Sequence, residues 1–235
     1  MDRKSGSSRQ GDAPAAEPAP LLRPPSFGGE AADGRRWEFD FKNGVLVTNR
    51  TPIDAVFIGD SITHFWELNA YFRRFGLVVN RGIAGDKAHI LARRFEADAL
   101  QLRPRACVLL VGVNNTWGPG TPEEIPALVA DSHRRMLAMA RERNIPLLVG
   151  SLLPVGEGCE DYPRRNLLIR RINGRLRELC AESGAPYVDY HAAFAGPDGL
   201  TMREGLSDDG IHPHVIGYNR MAEVLTPFLQ AALPG

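Results

Sequence analysis

The chain has 235 residues, with 28 Lys plus Arg balanced by 28 Asp plus Glu, so its formal net charge is +0. A chain so balanced has no global field to draw nucleic acid or an anionic membrane surface, and the expected partner is a small molecule. No apolar stretch approaches the roughly 20 residues of a membrane span or the continuous core of a secretory signal, so a cytoplasmic protein is expected.

The three cysteines, Cys107, Cys159 and Cys180, form no regular framework, which fits unpaired thiols in a reducing compartment. Composition leaves the oligomeric state open, a homodimer included.

Residues 1–35 are crowded with Pro, Gly, Ala and Ser and hold no apolar run longer than Leu21–Leu22. Such a segment buries too little to fold, so a disordered tail that adds almost nothing to stability or turnover is expected. A single domain over residues 36–235 remains. Its first stretch, Trp37–Asn49 (WEFDFKNGVLVTN), reads as a hairpin or an extended lead-in.

Short β-like runs then alternate with helical patterns, the mark of parallel βαβ units. The strands are expected at Ala55–Ile58, Leu77–Asn80, Ala106–Val111, Pro146–Ser151 and Pro186–Asp189. Helices are expected at Phe65–Phe75, Lys87–Leu100, Pro122–Arg143 and Arg164–Ser183, with a last one from about Pro213, as first helical residue, to Ala232. Within Arg164–Ser183, Leu168, Ile172, Leu176 and Leu179 recur at helical spacing. That outweighs the hairpin signal of Asn173-Gly174, and Gly184 is placed to end the helix. The fold class that follows is a three-layer α/β/α sandwich around a doubly wound, parallel, five-stranded sheet of flavodoxin-like type.

In open sheets of this class ligands bind beyond the carboxyl ends of the strands. The stretch AVFIGDSITHFW presents Ser61 there, after a buried strand and a tight Gly59-Asp60 turn. Far downstream, LSDDGIHPHVIGY holds Asp209 and His212 three residues apart on one turn. Ester hydrolysis by a serine needs a base for the Oγ proton, a carboxylate to fix that base's tautomer, and donors for the oxyanion. Two further loops at the same rim, NRGIAGD and GVNNT, offer backbone N–H groups beside glycines and neutral side-chain donors.

These blocks resemble the SGNH hydrolase superfamily, the GDSL-type esterases and lipases, over nearly the whole chain beyond the tail. FIGDSI, NRGIAGD and VGVNN are especially similar to the branch of platelet-activating-factor acetylhydrolase catalytic subunits. SDDGIHPHVIGY is similar to the wider bacterial esterases, among them carbohydrate acetylesterases. The resemblance implies Ser61 as nucleophile, His212 and Asp209 as the rest of a triad, and Ser61 N–H, Gly85 and Asn114 as oxyanion donors. It implies a short-acyl or acetyl ester substrate, an acyl-enzyme, and neither metal nor organic cofactor. Ile62 stands where leucine is usual, and Asn115 where many members carry Asp.

Plainer readings stand beside these. Gly-Asp-Ser is ordinary turn chemistry, and an isolated Asp-x-x-His can simply cap a helix. Phe65 and Trp117 flank the site blocks as candidate substrate-binding residues, while core packing competes for Phe65 and Trp66. The pairs Arg73-Arg74, Arg93-Arg94 and Arg164-Arg165 read as solvated helix faces, and His64, His89 and His133 as helix-face or solvent residues. Two alternative functions are a catalytically silent binding module on the same fold and a metal-dependent phosphoesterase built on His212, His214, Asp189, His191 and Asp208.

Overall fold

Every residue of β1 (Ala55–Gly59) and β3 (Ala106–Leu110) is buried, as strands covered on both faces must be. In this computed structural model, which describes residues 20–234, they lie beside β2 (Val78–Gly82), β4 (Leu147–Gly150) and β5 (Tyr187–Val188). The sheet has 5 strands, all pairs parallel, in the order β2-β1-β3-β4-β5. Each expected strand is present within a residue or two of its ends.

The helices are α1 (Arg36–Thr48), α2 (Ser61–His64), α3 (Leu68–Phe72), α4 (Ala88–Asp98), α5 (Glu124–Glu142), α6 (Tyr162–Ser183), α7 (Tyr190–Phe194) and α8 (Val215–Ala232). Helices α4, α5 and α6 pack side by side on one face, and α7 and α8 meet on the other. Because connections turn rightward from β2 onward but leftward from β1 to β2, the loops after β1 and β3 diverge and leave a crevice between them.

Helix α6 carries buried Leu168, Ile172, Leu176 and Leu179 and ends at Gly184, whose φ of 71° is a left-handed conformation that glycine adopts without Cβ strain. Its Asn166 and Asn173 side chains act as substitute peptide groups. Each donates to and accepts from the strand-like segment after β4, at Val155 and Leu152 respectively, with distances of 2.8–2.9 Å.

Five expectations need correction, the last of them the extent of the tail. The stretch Trp37–Asn49 is helix α1, not a hairpin. Its Trp37, Phe39, Phe41, Val45 and Val47 alternate like a strand, but the buried face is Arg36, Phe39 and Asn43, at helical spacing, while Trp37 and Phe41 stand in solvent. The single helix expected over Phe65–Phe75 is instead a non-helical stretch at residues 65–67, after α2 has ended at His64, followed by α3 and a 3-10 turn at Arg73–Phe75. The break turns Trp66 into the core, stacked on Tyr218 at 5.5 Å and edge-on to Phe57 and Phe72. Pro213 is not the first helical residue; α8 starts at Val215, where the His214 ring accepts the Ile216 N–H at 3.1 Å. Fourth, Arg94 and Arg165 are buried. Arg94 donates to Asp86 at 2.8 Å, Asp98 at 3.0 Å, and the carbonyls of Arg81 and Gly59 at 3.0 and 3.1 Å. Asp98, shared with Arg36, is pushed up by burial but held below its ordinary range by the two guanidinium groups.

Of the tail expected over residues 1–35, residues 1–19 lie outside the described residues. In the remainder, Phe27 and Ala32 are buried with Phe39, Ile83 and Ile90 in a small apolar cluster beside the main core. The domain thus uses residues upstream of Arg36.

One close approach sets the crevice geometry. A Cβ on Gly82, the last residue of β2, would lie 2.2 Å from the His64 backbone nitrogen, so α2 rests directly on the end of β2.

Candidate active site

Strand β1 runs out at Gly59, and Oδ1 of the Asp60 carboxyl accepts the Ile62 N–H at 3.1 Å, which turns the chain into α2 with Ser61 as its first residue. Ser61 is buried apart from its crevice side. On the opposing strand of chain, Asp209 organises its own turn. One carboxylate oxygen accepts the Ser207 hydroxyl at 3.0 Å and the N–H groups of Ile211 and His212 at 2.8 and 2.7 Å. The other meets His212 Nδ1 at 2.6 Å. His212 Nε2 in turn lies 2.9 Å from Ser61 Oγ.

Partial burial raises the Asp209 pKa, but the His212 ring and the backbone donors of His212 and Ile211 outweigh it and hold the carboxyl well below the usual range. Asp209 is therefore an anion at neutral pH. With the proton of a neutral His212 directed at that anion, Nε2 is free to accept from a hydroxyl. Asp208, next along the chain, is exposed and takes no part in this turn.

Gly85 lies in the turn after β2 with a φ of 82°, and its N–H makes no hydrogen bond among the described residues. The Asn114 side chain donates to the Asp86 carbonyl at 2.9 Å, which uses one of its two N–H bonds and bridges the loops after β2 and β3. Asn115 turns the other way. It is buried, and its oxygen accepts the Ala88 N–H at 3.0 Å at the start of α4.

Phe65 is exposed, with its ring edge-on to His212 at a centroid distance of 5.4 Å. Trp117 is also exposed, and the Arg165 guanidinium lies 3.8 Å over its ring. Trp66 belongs to the core instead.

Sequence reasoning missed two residues here. His64 accepts the Ala84 N–H through Nδ1 at 3.2 Å and so ties the Gly85 loop to α2. Arg165 joins Thr116 to Glu160 by donating to both carbonyls. The i,i+4 spacing of Arg94 and Asp98 reads as an ordinary helix-surface pair, so it gave no hint of inward-facing arginines. Asp189 bonds Arg177 and caps α7, and among the described residues no three His, Cys, Asp or Glu side chains gather as metal ligands.

A family model described as GDSL-like Lipase/Acylhydrolase matches residues 57–220, and the chain belongs to this family of carboxylic ester hydrolases. A curated relative, acetylxylan esterase of Geobacillus stearothermophilus, is 28% identical over 66% of this chain and 73% of its own length. Platelet-activating factor acetylhydrolase IB subunit alpha1 of Bos taurus is 26% identical over 92% of this chain and 89% of its own. Among solved structures, a GDSL-like lipase from Bacteroides thetaiotaomicron superposes with a TM-score of 0.71 at 23% identity, covering 84% of this chain and 98% of that one. That likeness bears on the fold. No helix among the described residues is long and apolar enough to cross a membrane.

Proposed function

We propose that the protein cleaves a short-acyl or acetyl ester through a covalent acyl-serine. The observation that carries this reading is the hydrogen-bonded chain from Asp209 through His212 to Ser61, at 2.6 and 2.9 Å. Ser61 Oγ attacks the ester carbonyl carbon as its proton passes to His212 Nε2, and the carbonyl oxygen takes up the negative charge. The N–H groups of Ser61 and Gly85 and the second Asn114 N–H receive that oxyanion. The intermediate collapses, the C–O bond to the alcohol breaks, and His212 returns its proton to the departing oxygen. Water then attacks the acyl-serine with His212 again as base, releasing the carboxylic acid and restoring Ser61.

A small acyl group is favoured by the relatives' names, an acetylxylan esterase and a platelet-activating factor acetylhydrolase subunit. Around the site, Phe65 offers an apolar surface next to His212 for the acyl or alcohol part, and Trp117, in the same short turn as Asn114, a second.

The test is Ser61→Ala. It should abolish hydrolysis of p-nitrophenyl acetate and labelling by a fluorophosphonate, while the thermal midpoint stays within a few degrees because one hydroxyl holds little folding energy. Retained turnover in the folded variant overturns the mechanism, and a wild-type protein inert to ester and probe alike would favour a silent binding module. A p-nitrophenyl ester series of increasing chain length tests the acyl preference.

A further inference from the structure

We infer that Phe27 is a positioning residue for the reaction: the segment Ser26–Arg35 straps the loop after β2 and fixes the direction of the Gly85 N–H. The inference rests on the proposed role of Gly85 as an oxyanion donor.

The Gly85 loop is held on its Asp86 side by Arg94 at 2.8 Å and Asn114 at 2.9 Å, but it has few backbone bonds of its own. Between Gly82 and Lys87 its backbone bonds are Ile83 N–H to the Gly59 carbonyl and Asp86 N–H to the Ile83 carbonyl, at 3.0 and 3.1 Å. Its one large apolar side chain, Ile83, is buried outside the main core. Its neighbours there are Phe27 and Ala32 of the strap, Phe39 of α1 and Ile90 of α4. Removing Phe27 would open one wall of that cluster.

The strap also touches the loop along its length. Arg35 donates to the Gly82 carbonyl at 3.0 Å, and Glu30 pairs with Lys87 at 3.1 Å. Between these two, the Ala31 methyl lies 3.2 Å from where a Cβ on Gly85 would stand. Its own shape comes from Asp33, whose carboxylate accepts the N–H groups of Phe27 and Gly29 and the Ser26 hydroxyl at 2.8–3.1 Å. The opposite side of the loop is held by His64 through Ala84. Gly85 therefore sits between the wall held by His64 and a strap whose largest buried side chain is the Phe27 ring. An oxyanion donor misplaced by about 1 Å loses most of its effect, so the ring's burial bears on rate.

The experiment compares wild type, Phe27→Ala, Phe27→Leu and Asp33→Asn in the full chain, with Leu229→Ala in α8 as a destabilised control remote from the loop. Thermal midpoint, kcat and KM for p-nitrophenyl acetate, and amide exchange of residues 82–87 are read for each. Phe27→Ala should speed exchange in that segment at least tenfold and lower kcat at least tenfold with KM changed less than threefold. Phe27→Leu should recover most of both, and Leu229→Ala should lower the midpoint without lowering kcat. If Phe27→Ala does not fold, Asp33→Asn must show the same two effects in milder form. Exchange and kcat both within twofold of wild type overturn the strap itself. Faster exchange with unchanged kcat overturns the proposal through the role of Gly85, leaving the mechanical contact intact.

Discussion

The Tyr218 hydroxyl on α8 donates a 2.8 Å hydrogen bond to the Ile62 carbonyl of α2, across 156 residues of sequence. Its ring also stacks on Trp66. The helix that follows His212 is thus fastened to the turn that carries Ser61, by a group that touches neither.

Tyr218→Phe keeps the stack but leaves a buried carbonyl without its donor, at a cost of about 1–3 kcal/mol. Thermal unfolding should show a drop of several degrees, and kcat should fall several-fold as the Ser61–His212 contact loosens. A midpoint equal to wild type would show that the bond contributes nothing to the junction.

Asp208 and Asp209 differ in geometry, not charge. A screened Coulomb field would make them interchangeable, whereas a carboxylate 2.6 Å from one ring nitrogen also selects the tautomer. Asp209→Asn should lower kcat/KM by roughly 10²–10⁴ near neutral pH, and Asp208→Asn by less than about tenfold. Equal losses in two folded variants would remove Asp209 from the orienting role.

Asn114 and Asn115 likewise divide by partner. Asn114→Ala should lower kcat by roughly 10²–10³ with KM changed far less, the usual loss for one oxyanion donor. Asn115→Ala should instead lower the unfolding midpoint, since it deprives the buried Ala88 N–H of its acceptor. Kinetic and thermal data with the two effects exchanged would place the donor one residue later.

Asp60 provides a pH test. Burial pushes its carboxyl up to about 7; the nearby Asp86 adds to this, and the Ile62 and Gly112 N–H groups oppose it. Between about pH 4 and 7 the unfolded chain releases this proton while the folded chain keeps it, so rising pH favours unfolding in that window and the effect levels off above it. Asp60→Asn lacks the proton. Urea denaturation from pH 4.5 to 8 should therefore show wild type losing stability relative to the variant up to about pH 7, and parallel curves would refute the protonated state.

Much of this molecule is legible in its sequence because its local signals agree. The strands are continuous apolar runs, Gly184 ends α6 where periodicity stops, and the Ser61, Asn114 and His212 blocks each follow a strand or precede a helix in the expected order. The failures have a common cause. Trp37 and Phe41 are apolar yet exposed, and Arg36, Asn43 and Arg94 are polar yet buried, so the rule that apolar residues face inward assigned α1 to a strand and Arg94 to solvent. Arg94 has one partner, Asp98, on its own helix; its others, the carbonyls of Arg81 and Gly59, come from other elements, as does Asp98 itself for Arg36 and Asn43. No window of sequence contains all of them together.

Gly82 adds a consequence for how this site can vary. Because α2 occupies the space a side chain would need there, any larger residue at position 82 must displace the backbone of His64, and with it Ser61 three residues earlier. Exposed residues such as Phe65 and Trp117 can be randomised without touching this contact. A library randomised at position 82 should return glycine alone among active clones. The serine's location is thus recorded at a buried residue on the neighbouring strand.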